Sequence, residues 1–338
     1  MVKNFGRLIV FVTLCAAAGN LWAQQGQPSS TDVQKHADAA KQIAGAQWAQ
    51  AANFFCSDEK QVTAMHILPS ATQSDPPETR RANPMKVFDN LYFVGTKEVT
   101  TWVITTPDGY MLIDSGYAGE EEKTLIPGMM KLGLDPAKIK NVIIAHGHSD
   151  HFGGALYLQQ HYGAHVYMSA EDWDLIEPKP GKSAEGGVFG AQPKRDRVAA
   201  DGEPIVLGAE KVTPVLIPGH TPGSMGFIFP VMENGQPHMV GLFGGTILNP
   251  ADRFPASLFE EYLKSIEHFA EVSRQMNVDV ELENHPIMDG TFEKLAGLKD
   301  RKPGQPNPFV VGKDGFQKFV RVMAECTKAQ IIRHGGKI

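Results

Sequence analysis

Six side chains able to bind a metal ion fall at three places along the chain. Within Asn141-Val-Ile-Ile-Ala-His146-Gly-His148-Ser-Asp150-His151-Phe-Gly-Gly154, four such groups follow directly on an apolar run. His146 and His148, two apart in an extended segment, point to the same side and can share one ion. Asp150 and His151 come where the chain turns toward a helix, so they can aim at a second ion beside the first. Gly153 and Gly154 would let the backbone turn tightly behind them. Two more candidates sit at loop-like positions after strands: His220 in Pro218-Gly-His-Thr-Pro-Gly-Ser224 and His285 in Glu283-Asn-His-Pro286. Alone, either is an ordinary turn residue; with the first cluster they make six ligands, three per ion. Imidazoles and a carboxylate without thiolates select zinc, although iron or manganese would tolerate the set. No serine or cysteine nucleophile motif accompanies them, and Ser224 reads as a turn-former.

These residues need elements to hold them. Short strand-like runs are expected at Leu91–Val94, Thr101–Thr105 and Tyr110–Ile113, with a Pro107-Asp108-Gly109 turn before the last. A helix over 120–132, a buried strand over 142–145, a helix over 153–162 and a strand at His165–Met168 follow. Residues 177–203 are rich in Gly, Pro and charge, and such a long aperiodic loop is usually functional or mobile. Strands resume at Val212–Ile217, Gly226–Phe229 and Met239–Phe243. Ser257-Leu-Phe-Glu260 reads as a capping box opening a helix to about Met276. A strand at Val278–Leu282 and a last helix over 315–333 complete the order. Two sheets packed between outer helices would satisfy it.

The chain of 338 residues is 42% hydrophobic with a formal net charge of −6, which excludes disorder as the main state and disfavours a nucleic-acid partner. No apolar stretch is long enough to span a bilayer, so no membrane role is expected. Lys3 and Arg7, the apolar run Leu8 to Ala18 and Leu21-Trp22-Ala23 read as a signal peptide over residues 1–23, directing export to a periplasm or the exterior. Leu14 before Cys15 is too bulky for a good lipidation box. Residues 24–85 are expected as a helical arm over 32–53 plus a Pro-rich connection, and residues 86–338 as the main domain. Cys56 and Cys326 would remain after processing; they either bridge the arm to the last helix or stay as buried thiols. Of the other histidines, His36, His66, His161, His165, His238, His268 and His334 read as structural or exposed. Trp173 and Phe189, at the long loop, could cover an apolar substrate, but core or surface roles fit each better.

HxHxDH, then Pro-Gly-His-Thr-Pro-Gly-Ser, then a late histidine after a strand resembles the ligand signature of the metallo-β-lactamase superfamily. The resemblance covers roughly residues 85–335 and implies an α/β fold, the αββα sandwich of two mixed sheets between outer helices. It implies His146, His148 and His220 on a first zinc, and Asp150, His151 and His285 on a second. Within the superfamily the chain is most similar to the third subclass of zinc β-lactamases: His151 stands as a second-site ligand, and no ligand cysteine follows 239–243. Many superfamily hydrolases carry a metal-bridging Asp where this chain has Leu242-Phe-Gly-Gly-Thr246. Thr246 resembles the serine of the third subclass, and the second substrate-holding serine of that subclass appears as Leu248. The resemblance implies a hydroxide activated between two zinc ions, with Asp150 orienting it and Thr246 bonding water or substrate. The expected substrate is a small molecule, a β-lactam antibiotic; a lactone, a thioester or another small ester is the alternative. A non-catalytic zinc buffer is disfavoured, because an open coordination position beside a long loop suits chemistry. Oligomeric state has no signature in the sequence.

Overall fold

The computed structural model describes residues 30–57, 80–177, 192–246 and 254–338. The expected signal peptide, His66, Phe189 and Leu248 lie outside the described residues.

Twelve strands form two sheets among the described residues. The first contains β1 (Met85–Lys86), β2 (Leu91–Gly95), β3 (Thr100–Thr106), β4 (Gly109–Ile113), β5 (Ile139–Ile143), β6 (His165–Met168) and β7 (Arg197–Val198), in sequence order. Its β1 to β4 half is an antiparallel meander, and β4 to β7 run parallel. The second contains β8 (Ile205–Leu207), β9 (Glu210–Leu216), β10 (Met225–Glu233), β11 (Gln236–Leu242) and β12 (Val280–Leu282), antiparallel except for the parallel β11–β12 pair.

Both faces of the central strands are buried, which is why they read as continuous apolar runs instead of alternating ones. Along β3, Trp102 and Ile104 enter the core between the sheets while Val103 turns outward beneath helices. On β10, Phe227 and Phe229 enter the same central core and Ile228 faces the opposite layer. The first outer layer holds α3 (Ile126–Lys131), α5 (Ala155–Tyr162) and α6 (Ala170–Ile176). The second holds α1 (Ser30–Ala44), α2 (Ala49–Phe55), α7 (Ala256–Gln275) and α9 (Lys313–Arg333). Helix–sheet–sheet–helix layering is the expected αββα sandwich. No helix among the described residues is long and apolar enough to cross a membrane.

Several local expectations change. The helix expected over 32–53 is two, α1 and α2, because Gly45 takes φ +54 and turns the chain. The segment 120–132 begins as a π-helical turn, Glu121–Leu125, before α3. The capping box at Ser257 does not form: α7 starts one residue earlier, with Pro255 in extended geometry as its unassisted cap. β7 emerges inside the expected long loop. β1 spans the expected boundary at 85/86, so the sheet begins before it.

The described part of the N-terminal arm is woven into the outer layer. α1 and α2 pack on α9, the Trp48 indole donates to the Gly315 carbonyl at 2.9 Å, and Cys56 is bonded to Cys326 across 270 residues.

Candidate metal centre

The six expected ligands arrive on three loops at one edge of the sandwich. β5 runs on through buried Ile144 and Ala145 into His146; the chain then bends instead of staying extended as expected, His148 N–H donating to His146 O at 3.0 Å, and His148 caps α4 (Ser149–Phe152). Asp150 and His151 therefore lie in the first turns of that short helix, as the sequence suggests. His220 sits in the β9–β10 connection of the second sheet, and His285 follows β12 in the same sheet.

The side chains converge as two triads, His146–His148–His220 and Asp150–His151–His285, with the ligand atoms of each within 4.8 Å of one another. His220 Nε2 stands 3.0 Å from both His146 Nε2 and His148 Nδ1. His151 Nε2 stands 3.2 Å from His285 Nε2 and 3.4 Å from Asp150 Oδ2. The triads adjoin, with the His146 and His151 rings 4.0 Å apart.

Backbone carbonyls choose the free nitrogens. His146 Nδ1–H donates to Gly244 O at 2.7 Å and His285 Nδ1–H to Glu98 O at 2.9 Å, leaving each Nε2 as a bare lone pair. Lone pairs facing lone pairs at such distances repel unless a cation or proton lies between them. Nitrogens bound to one zinc at roughly 2.0–2.1 Å in tetrahedral geometry lie a little over 3 Å apart, so the donors present fit zinc in both chemistry and spacing.

Charge is distributed unequally. Burial, followed by the neighbouring His151 and His220, pushes His146 well below the usual imidazole range. Burial and His151 lower His285 to about 4. His151 goes the other way: burial disfavours its charge, but Asp150 and Asp114 outweigh it and raise the ring to about 10. Asp150 is likewise opposed by burial, yet His151 and His285 hold its carboxyl far below the carboxylate range.

Three acids at the site were not anticipated. Asp114, fully buried at φ +61 beyond β4, accepts the Ala145 N–H and pairs with His151 Nδ1, both at 2.7 Å. A buried acid ending an apolar strand, in Leu112-Ile-Asp-Ser-Gly116, was the available signal. Asp172 on α6 accepts from Gly147 N–H at 2.7 Å, Thr221 hydroxyl at 2.6 Å and Gly223 N–H at 2.9 Å. It thus ties the loop between His146 and His148 to the loop of His220. Burial pushes its carboxyl up against those three donors. Glu283 is fully buried beside the Thr246 hydroxyl, and burial drives it toward the neutral acid.

Thr246 lies two residues beyond Gly244, 2% exposed, with its hydroxyl beside the buried Glu283 carboxyl. Its carbonyl accepts from Tyr262. Ser224 is the expected turn-former: its Oγ accepts the Thr221 N–H at 3.0 Å. Trp173 is core, fully buried with its indole donating to Arg197 O. Gly153 and Gly154 have ordinary helical torsions, so turning is not their reason; a Cβ there would stand 2.2 Å from Ala118 N and 2.6 Å from Ser115 O. Outside the triads, His36 pairs with Glu325, His165 with Asp196 and His238 with Asp279, as structural histidines do.

Comparison with known proteins agrees with this architecture. Residues 94–232 match the model of the metallo-beta-lactamase superfamily. The solved structure of BJP-1, a subclass B3 metallo-beta-lactamase of Bradyrhizobium japonicum, superposes with TM-score 0.61 at 26% identity, covering 71% of this chain and 90% of that one. Native FEZ-1 metallo-beta-lactamase from Legionella gormanii gives TM-score 0.61 at 26% identity, over 72% and 92%. Among curated relatives, hydroxyacylglutathione hydrolase GloC of Haemophilus influenzae is 36% identical over 124 residues, 35% of this chain. The chain spans only 54% of that relative's length. Fold and donor set together define a metal-binding αββα protein. Residues 94–232 and the overall fold are similar to the metallo-beta-lactamase superfamily.

Proposed function

We propose that the protein is a di-zinc hydrolase that opens the β-lactam amide. The observation that carries this reading is the composition of the second triad: Asp150, His151 and His285 converge, while Thr246 stands where many superfamily hydrolases place a bridging Asp. Two zinc ions held by the triads would lower the pKa of water toward neutrality and polarise the substrate carbonyl. Asp150, kept ionised by His151 and His285, orients the attacking water by accepting a hydrogen bond from it. The proton released as the C–O bond forms reaches the leaving nitrogen through solvent when the C–N bond breaks. Asp114 holds His151, and the Gly244 and Glu98 carbonyls hold His146 and His285, so each ring is fixed before substrate arrives. The buried Thr246 hydroxyl, beside Glu283, is assigned a hydrogen bond to water or substrate.

The names of the curated relatives favour a second reading, hydrolysis of a glutathione thioester. One panel separates the two: purified zinc-loaded protein is offered nitrocefin, a carbapenem and a hydroxyacylglutathione, each with and without EDTA. Chelator-sensitive β-lactam turnover is expected. Thioester turnover alone would move the assignment to the second reading, and a fully loaded protein inert to all three would discard both.

Export through a signal peptide over residues 1–23 belongs to the same proposal. It is supported by the Cys56–Cys326 bond, since disulfides persist in oxidising compartments. Fractionation of an expressing bacterium, with N-terminal sequencing of the product, should find the chain outside the cytoplasm and starting at Gln24.

A further inference from the structure

Beside β1, the described residues surround a cavity of about 890 Å³ that none of the six metal ligands lines. Its size is that of a small-molecule site. Met85 and Phe292 form part of its wall and pack directly on the core between the sheets, with the Phe292 ring edge-on to Phe93 at 6.1 Å. Apolar side chains in a wet cavity are a standing invitation to an apolar ligand.

The charged groups of the lining are mostly cationic. Arg81 precedes β1, Lys97 sits in the β2–β3 turn, Lys131 ends α3, and Lys299 ends α8 (Thr291–Lys299). Four separate elements therefore bring four exposed cations to one cavity, against the single carboxylate of Glu293. None of the four forms a salt bridge with a described residue. In a chain whose net charge is −6, this local excess needs an anionic counterpart.

We propose that the cavity is a second ligand site, for a small amphiphile with an apolar chain and a carboxylate or phosphate head. The chain packs on Met85 and Phe292, and the head meets the basic rim. Pro286 and Ile287 also line the cavity, and Lys97 adjoins Glu98, whose carbonyl holds His285. A bound ligand therefore rests on the segments that position one metal ligand, whatever reaction the centre performs.

Titration of the zinc-loaded full chain with monomeric decanoate and decyl phosphate, followed by calorimetry, tests this. Decanol and decyltrimethylammonium provide the same chain without charge and with the opposite charge. Saturable one-to-one binding is expected for the anions, weakened about tenfold or more in the double variant Lys131→Glu/Lys299→Glu. Zinc content and thermal midpoint of that variant should match the parent. On the unmodified chain, added salt should weaken decanoate and leave decanol unchanged. Equal affinity for all the heads, binding indifferent to both the substitutions and salt, or binding confined to anionic lipid vesicles would each overturn the proposal.

Discussion

Asp172 is not itself an expected ligand, yet it accepts hydrogen bonds from both loops that carry the first triad. Asp172→Ala would leave the buried Gly147 and Gly223 N–H groups without an acceptor, at about 1–3 kcal/mol for each group left unsatisfied, while the Thr221 hydroxyl keeps Ser224 Oγ at 2.7 Å. Asp172→Asn is the sharper probe, because its amide keeps the shape while turning donors toward donors. Competition with a chelating dye should show zinc affinity at the His146–His148–His220 triad reduced about 10–100-fold, with the other triad less affected. Unchanged affinity at both would remove Asp172 from any positioning role. A second expectation concerns acid. Burial depresses His285 from the ordinary imidazole value of about 6.5 to about 4 in the folded chain, so the stability it contributes to metal-free protein is present above 6.5 and lost as pH falls toward 4. His151, raised to about 10, contributes stability that is complete below 6.5 and lost as pH climbs through 10. The urea midpoint of chelator-stripped protein should therefore decline on both sides of neutrality; a flat profile would contradict these assignments. The ligands themselves were readable because their types and close spacing admit few other uses. Asp114 and Asp172 escaped notice because each meets its partner across 37 and 25 residues, which no local pattern records.

At the level of elements, burial on both faces made the long strands legible and left the short ones hidden. β7 is two exposed residues, and β8 is three with a single buried side chain, so neither carries a periodic signal. α6 was missed although Ser169-Ala-Glu-Asp172 announces it: the Ser169 hydroxyl caps Asp172 N–H. The similar string at Ser257 misled, because an extended Pro255 already starts that helix and places Ser257 inside its first turn. α4, only four residues long, depends on what lies behind it. Gly153→Ala would press a methyl into the Ala118 backbone, and the shift must be absorbed by the turn carrying Asp150 and His151. Metal analysis of this variant should give less than the full complement of the second ion, with the first retained. Full loading at both sites would show that the turn can yield elsewhere.

Across the whole molecule, three apolar layers account for the fold, and the disulfide adds a covalent tie between its two ends. Closing a loop of this length restricts the unfolded chain and stabilises by about 2–5 kcal/mol. Cys326→Ala should lower unfolding stability by that amount in urea while leaving metal content intact, since neither cysteine approaches the triads. A loss of metal with the bond would reveal a coupling that the packing does not explain. The layered architecture could be anticipated from the order of strands and helices. The place of the N-terminal arm was legible only through its cysteine, since a bridge to the last helix was one of two readings and the bond forms, while the small Ala-rich face by itself specifies no partner.

Each triad takes two donors from the loop after β5 and one from a loop of the opposite sheet. A half-assembled chain thus presents at most two donors to either cation, too few for tight capture. Cation uptake would consequently act as a proofreading step for the sandwich, rewarding only chains whose two halves have docked in register, and a cation once seated would work as a clasp against their separation.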